Sequence, residues 1–170
     1  MPMRIKLAAL PAGLLLWLAL VSLAVAAPTS QDQLARMVGA YELTMARIEA
    51  YGGVIAGIGD WAEAHPEQAK ALRARAPQGL ADVEQAAAVL ESEPPLKALL
   101  DQHQLSGRDF VLIPAAMMQA RLVVLGEAQG RSFPPGQINP RNLALAKANA
   151  ARMDAIMHKA AADRLRAFGR

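Results

Sequence analysis

One long and almost uncharged segment near the middle of the chain constrains the fold more than any other feature. Between Phe110 and Leu125 the only strongly polar side chains are Gln119 and Arg121. A helix that is apolar nearly all round needs other elements around it, and this run is shorter than the roughly 20 residues of a membrane-spanning helix. We therefore predict a buried central helix, kinked at Pro114 because proline removes a backbone hydrogen bond from the helix interior.

The spacing of apolar residues predicts that the rest of the chain beyond its N-terminal segment is helical as well. Apolar residues recur every three or four positions from Leu34 to Phe168, as on one face of a helix. No stretch alternates at period two, as a half-buried strand would. Aromatic residues make up only 4% of the chain, while Ala and Leu are abundant. We predict an all-α, antiparallel helical bundle that forms a single domain over residues 27–170.

Caps and breakers divide this domain into helices. Ser30 with Gln33, Ser106 with Asp109, and Asn139 before Pro140 have the pattern of helix starts. Gly and Pro residues indicate where the chain turns between helices. The predicted helices run from Ser30 to the Gly52-Gly53 pair, Val54 to Ala64, Pro66 to Ala76, Leu80 to Glu91, Pro94 to about Gln104, Phe110 to Leu125 and Pro140 to about Phe168, with a surface loop at 131–138.

The N-terminal segment has the pattern of a secretory signal peptide. Arg4 and Lys6 precede an apolar run that ends in small residues, with Ala24 and Ala26 at the −3 and −1 positions of a peptidase site. We predict a signal peptide over residues 1–26 that is cleaved after Ala26. The alternative is a retained membrane anchor, against which Pro11 and the small-residue exit argue. The expected location is therefore the periplasm or the exterior.

The chain contains no cysteine. A lipoprotein anchor, disulfides, thiolate metal sites and cysteine nucleophiles are thereby excluded. An exported domain without disulfides is held together by its core alone.

The basic residues are concentrated in the last predicted helix. Residues 139–170 contain seven Lys or Arg against two Asp, whereas the rest of the predicted mature chain is net acidic. Arg152, Lys159 and Arg166 recur every seven residues, so this helix has a basic face that would suit an anionic membrane surface. The simpler explanation, which we favour, is a basic helix packed beside an acidic body. Nucleic acid is not an expected partner, because aromatic residues do not alternate with the basic ones.

Residues of the types that carry catalysis or hold metals are present but scattered. His65, His103 and His158 are isolated in sequence, and no His-Glu-x-x-His or Glu-x-x-His pattern occurs. Asp154 and His158 lie four residues apart, as metal ligands on a helix do, but so do many solvated pairs. The six methionines beyond the signal segment lie on or near apolar faces, where they are typical core fillers. We expect no catalytic residues, no bound metal and no cofactor.

Arg121 is the polar residue that needs a specific partner. An unpaired buried guanidinium is costly, so Arg121 must reach solvent or meet a carboxylate, and we predict Glu42 or Glu49 on the first helix. The functional hypothesis is a small cavity formed by Arg121, Gln119, Tyr41 and Glu42 that takes an anionic ligand.

Three segments resemble a family of uncharacterised exported helical proteins of bacteria. They are Tyr41-Glu42-Leu43-Thr44, His65-Pro66, and the sequence from Leu105 to Leu112 that leads into the central helix. The resemblance implies an exported helical fold and carries no activity or site residues with it. The sequence thus predicts a non-catalytic binding or interaction protein of the cell envelope, whose partner is an envelope protein or a small anionic ligand. The alternative is a periplasmic metal- or cofactor-binding protein that uses Met and His side chains.

Overall fold

A computed structural model describes residues 30–75, 83–133 and 138–168, and these residues form an all-α bundle. The predicted signal peptide and its cleavage site lie outside this part of the chain. The helices of the described residues are α1 (Ser30–Ala40), α2 (Met45–Ala64), α3 (Pro66–Arg75), α4 (Val83–Ser92), α5 (Pro94–Gln102), α6 (Gly107–Ala128), α7 (Pro140–Ala148) and α8 (Ala150–Phe168).

Two of the three predicted caps begin helices as expected. Ser106 and Asp109 form a reciprocal capping box at the start of α6, in which each side chain accepts a hydrogen bond from the other residue's backbone. The Asn139 side chain accepts from the backbone N–H of Arg141, and Pro140 occupies the first turn of α7. Polar side chains at these positions satisfy N–H groups that the first turn leaves without intrahelical partners.

The first helix differs from its prediction. A single helix from Ser30 to Gly52 was expected, but α1 ends at Ala40 and α2 begins at Met45. The helix then continues through Gly52 and Gly53, where a turn was predicted. Thr44 caps α2 by accepting from the backbone N–H of Arg47 at 3.2 Å.

The glycines of α2 serve close helix packing. A Cβ atom at Gly53 would lie 2.4 Å from Cε1 of His103, just beyond the end of α5, and one at Gly57 would lie 2.7 Å from Cδ2 of Leu99 on α5. A Cβ at Gly52 would approach Ile156 of α8 to 3.3 Å. Small residues therefore let α2 approach α5 on one side and α8, its most extensive partner, on another.

The predicted central helix α6 contributes the largest set of buried residues, but it is not surrounded. Ile113, Met117 and Ala120 are inaccessible to solvent. On the opposite face three large side chains, here called the α6 stripe, are exposed by half or more: Met118, Leu122 and Leu125. The prediction that the whole of this helix is buried is therefore wrong at Met118, Leu122 and Leu125.

The length and hydropathy of α6 are also those of a membrane-crossing helix. It is the one such helix among the described residues, and half of its most apolar window is buried inside the protein. That burial, against α4 and α7 in particular, is what a helix of a bundle core shows.

The predicted C-terminal helix is interrupted once. Asn149 ends α7, and its backbone N–H donates to the Leu145 carbonyl before α8 begins at Ala150. Ala146 and Met153 are buried, whereas Leu165, near the end of α8, is 61% exposed. The buried positions of α8 shift instead to Ala160 and Asp163.

Candidate functional site

The break between α1 and α2 is held open by an asparagine from α7. Asn142 is 1% exposed. Its Nδ2 donates to the Tyr41 carbonyl at 2.7 Å, and its Oδ1 accepts from the Leu43 N–H at 2.8 Å. One side chain thus supplies a donor and an acceptor to backbone groups that would otherwise continue a helix. The break fixes the direction of the Tyr41 side chain.

Tyr41 reaches the first turn of α6. Its hydroxyl donates to Oδ1 of Asp109 at 2.8 Å and accepts from Nη1 of Arg47 at 2.9 Å. The same Arg47 nitrogen lies 2.9 Å from Asp109 Oδ1, and the guanidinium carbon lies 5.6 Å from the centre of the Tyr41 ring. Because Asp109 also belongs to the capping box of α6, this cluster ties α2 and residue 41 to the start of that helix.

In the cluster of Tyr41, Arg47 and Asp109, the tyrosine stays protonated and the aspartate stays ionised near neutral pH. Burial, followed by the hydrogen bond to Asp109, raises the pKa of Tyr41 to about 12. Burial acts to raise the pKa of Asp109, but hydrogen bonds from Ser106 and Tyr41, with the charge of Arg47, hold that pKa below its ordinary value. Tyr41 is therefore a hydrogen-bond donor and Asp109 a fixed negative charge.

An open cleft lies beside this cluster, between α1, residues 41–44 and the first turns of α6. We call it the α1–α6 cleft. Its volume is about 540 Å³, which falls within the range of small-molecule sites. It is lined by Arg36, Met37, Ala40, Tyr41, Glu42, Thr44, Arg47, Arg108 and Leu112.

The three arginines of the cleft have guanidinium N–H groups that no hydrogen bond to a described residue occupies. Arg47 makes its polar contacts through Nη1 alone, and Arg108 uses Nε to reach Glu84 at 3.0 Å. Arg36 is exposed and forms no ion pair with any residue that the structure describes. Each guanidinium therefore retains N–H donors for a further anion.

The lining carboxylate belongs to Glu42, which pairs with Arg141 at 2.7 Å. Among the residues that the structure describes, Arg36 is thus the cleft guanidinium without a counter-charge.

Of the four residues proposed from the sequence, two lie at this cleft. Tyr41 and Glu42 line the α1–α6 cleft, whereas Gln119 and Arg121 are not among its lining residues. The predicted partner of Arg121 is also wrong. Nε and Nη2 of Arg121 donate to the two carboxylate oxygens of Asp154 on α8, at 2.7 and 2.6 Å.

The Arg121 side chain is 13% exposed, and the bidentate geometry satisfies it as a structural pair between α6 and α8. Glu49, the other predicted partner, instead pairs with Arg152 at 2.5 Å.

Sequence reasoning missed the arginines that dominate the cleft. Arg36, Arg47 and Arg108 are surface positions on three helices, and their proximity depends on how those helices pack. The signal that was present is the Ser106 and Asp109 box, which fixes where α6 begins. It does not indicate which residues meet its acidic side chain from elsewhere.

The basic face of α8 is turned largely toward acidic partners. Arg166 lies 3.3 Å from Asp60 and 3.2 Å from Glu63, both on α2, and also pairs with Asp163 at 2.7 Å. Lys159 pairs with the same Asp163. These contacts agree with the favoured explanation of a basic helix beside an acidic body. Contact with a membrane remains a prediction.

The described residues offer no cluster for a metal ion. No group of three or more His, Asp or Glu side chains is placed to hold one in the part of the chain that the structure describes. Asp154 is engaged by Arg121, and His158, its predicted companion, is exposed. Met117 and Met153 are fully buried in the core, as expected of gap-filling side chains.

Comparisons of the chain with protein-family models, with curated proteins and with solved structures find no match. The candidate site therefore stands on its geometry alone.

Proposed function

We propose that this protein is a non-catalytic binding protein of the cell envelope whose α1–α6 cleft takes a small anionic ligand. The observation that carries the proposal is the state of the three cleft arginines. Arg36 has no described counter-ion, and Arg47 and Arg108 each keep N–H donors beyond those that their protein partners occupy. Guanidinium groups that converge on a cleft are a common means of recognising carboxylates, sulfates and phosphates.

A binding role suits the chemistry of the lining better than catalysis does. Tyr41, with a pKa raised to about 12, holds its proton at neutral pH and is not poised as a general base. The Thr44 hydroxyl accepts a backbone hydrogen bond as the cap of α2. The predicted signal peptide supports the assignment to the cell envelope.

The test is anion binding to the purified protein, measured by calorimetry and by thermal shift with acetate, methanesulfonate, phosphate and citrate. We expect at least one anion to raise the melting temperature in a concentration-dependent manner. Arg36→Gln should weaken that binding at least tenfold, whereas Lys70→Gln, which removes an exposed cation on α3, should leave it unchanged. The absence of any protecting anion, or an equal loss in both variants, would refute the proposal.

A further inference from the structure

The walls of the α1–α6 cleft differ in chemistry along each helix. On α1, Arg36 is followed immediately by Met37 and one turn later by Ala40. On α6, Arg108 is followed one turn later by Leu112. Since a helical turn advances about 5.4 Å, the Cα atom of each of these arginines lies roughly one turn from that of an apolar residue that also lines the cleft.

The charges around the cleft favour a ligand with one negative group over a ligand with several. Arg47 and Arg108 already face the carboxylates of Asp109 and Glu84, and Glu42 adds a further negative side chain to the lining. Of the three cleft arginines, Arg36 is the one that has no counter-charge among the described residues. A polyanion would meet repulsion from these carboxylates, while a single negative group would compensate Arg36.

The size of the cleft argues for a ligand larger than a compact inorganic anion. A water molecule occupies about 30 Å³ in the liquid, so an ion of a few such volumes would leave most of the 540 Å³ filled by water. It would also leave the exposed part of Met37 wet. An apolar group beside the anionic one would cover that surface and release the water.

We infer that the ligand of the cleft is an amphipathic monoanion, in which one carboxylate, sulfate or sulfonate group is joined to an alkyl or aryl group. The anionic group binds at Arg36 and receives further N–H donors from Arg47 and Arg108. The apolar group lies over Met37, Ala40 and Leu112. This inference rests on the proposed function and specifies its ligand class.

The test uses a series of n-alkanesulfonates with one, four, six and eight carbons, each below the concentration at which it aggregates, with calorimetry on the purified protein. Because burying one methylene strengthens binding by about fourfold, we expect the Kd to fall about three- to fourfold per added carbon over much of the series. The uncharged probe 1-octanol should bind at least tenfold more weakly than octanesulfonate.

Variants separate the two halves of the ligand. Arg36→Gln should weaken the binding of every sulfonate by a similar factor. Met37→Gln should reduce the gain in affinity per added carbon and leave the Kd of methanesulfonate unchanged. Should Met37→Gln lower the melting temperature, Ala40→Gln at the exposed end of α1 provides a second change in the apolar wall. Met118→Gln is the matched control, because it alters the α6 stripe, another exposed apolar surface on which alkyl chains adsorb.

The outcomes distinguish this inference from the proposed function. Methanesulfonate or phosphate binding as tightly as octanesulfonate would overturn the amphipathic ligand and leave anion binding intact. The inference would also be overturned if 1-octanol bound as tightly as octanesulfonate, or if Met118→Gln and Met37→Gln reduced the affinity for octanesulfonate equally. If no anion in either panel binds, the proposed function is refuted and this inference falls with it.

Discussion

Asp109 couples helix capping to the candidate site through a single carboxylate. Its Oδ2 accepts from the Ser106 backbone and hydroxyl, while its Oδ1 accepts from Tyr41 and faces Arg47. These contacts favour the charged form, so the pKa of Asp109 is lowered. A carboxyl group whose pKa is lowered on folding stabilises the native state above its unfolded pKa and loses that contribution as the pH falls through its folded pKa.

We therefore expect Asp109→Asn to cost about 1–2 kcal/mol at pH 7, through the weakened cap and the lost charge. The difference between the two proteins should shrink as the pH falls below about 4, the ordinary pKa of an aspartate, because a protonated Asp109 resembles the amide. Urea unfolding at pH 7 and pH 3 measures this. If the difference in unfolding free energy between the two proteins did not change with pH, the charge of Asp109 would not contribute to stability.

Arg121 offers a second test at the level of single residues. Arg121→Met leaves Asp154 without its bidentate partner, but that carboxylate is 41% exposed and recovers part of its hydration. We expect a loss of about 1–2 kcal/mol, below the 3–5 of a fully buried pair. The double change Arg121→Met with Asp154→Leu should recover most of it. Lys97→Met, in an exposed pair with Asp101, serves as the control and should stay within about 0.5 kcal/mol of the parent.

Single residues also show where sequence reasoning stops. The need of Arg121 for a carboxylate could be predicted, because burying a guanidinium is costly wherever it occurs. Its partner could not, since Glu42, Glu49 and Asp154 are all carboxylates within reach of a long side chain in one or another packing of the helices. Only the packing of α6 on α8 selects Asp154.

At the level of helices, the break at residues 41–44 has almost no local signal. Apolar residues continue at helical spacing from Met37 through Tyr41 to Met45, and residues 41–44 themselves contain neither glycine nor proline. Thr44, a good N-cap, is the one local indication. The break depends on Asn142, which lies about a hundred residues further along the chain.

This dependence predicts that Asn142→Leu, a change of similar volume, leaves the Leu43 N–H and the Tyr41 carbonyl with one partner fewer in a buried setting. We expect a loss of about 1–3 kcal/mol, the cost of one unsatisfied buried group, because the Tyr41 carbonyl still accepts from Asn139 Nδ2 at 3.4 Å. Asn149→Ala removes one hydrogen bond, to Leu145, and should cost less than about 1 kcal/mol. Thermal unfolding of both variants provides the comparison, and equal losses would argue against a special role for Asn142.

The one-sided burial of α6 gives a matched pair of core and surface variants. Ile113 is fully buried, so Ile113→Ala should cost about 2–5 kcal/mol through lost burial and a cavity. Leu122 is 59% exposed, so Leu122→Ala should change the stability by no more than about 0.5 kcal/mol. Urea unfolding distinguishes them, and a large loss for Leu122→Ala would mean that this face is covered in solution.

Composition overstated the burial of α6 for a physical reason. Hydropathy along the segment shows which side chains avoid water, but not how many neighbours a bundle of short helices can place around one axis. With α4 and α7 as the main neighbours of α6, one face remains open. Apolar atoms are common on the surfaces of folded proteins, so the α6 stripe does not by itself identify a partner.

At the scale of the whole molecule, the fold class was predictable and the candidate site was not. Periodicity and caps decide helix from strand within short windows, and they placed α3, α5 and the start of α6 close to their observed positions. The cleft combines residues of α1, α2 and α6 with the segment between the first two helices. That Arg36, Arg47 and Arg108 line the same cleft is a property of the assembled bundle.

Export is a prediction about the whole chain that only the intact cell can test. If residues 1–26 are a signal peptide, the protein recovered from the cell envelope or the medium should begin at Ala27, because Ala24 and Ala26 occupy the −3 and −1 positions that the peptidase reads. Mass spectrometry of the intact protein measures this directly. Ala26→Glu should block cleavage and leave the longer precursor in the membrane fraction, whereas Ala27→Ser, just beyond the cut, should be processed normally. A parent protein that retains Met1 in the envelope would contradict cleavage and favour the alternative of an N-terminal membrane anchor.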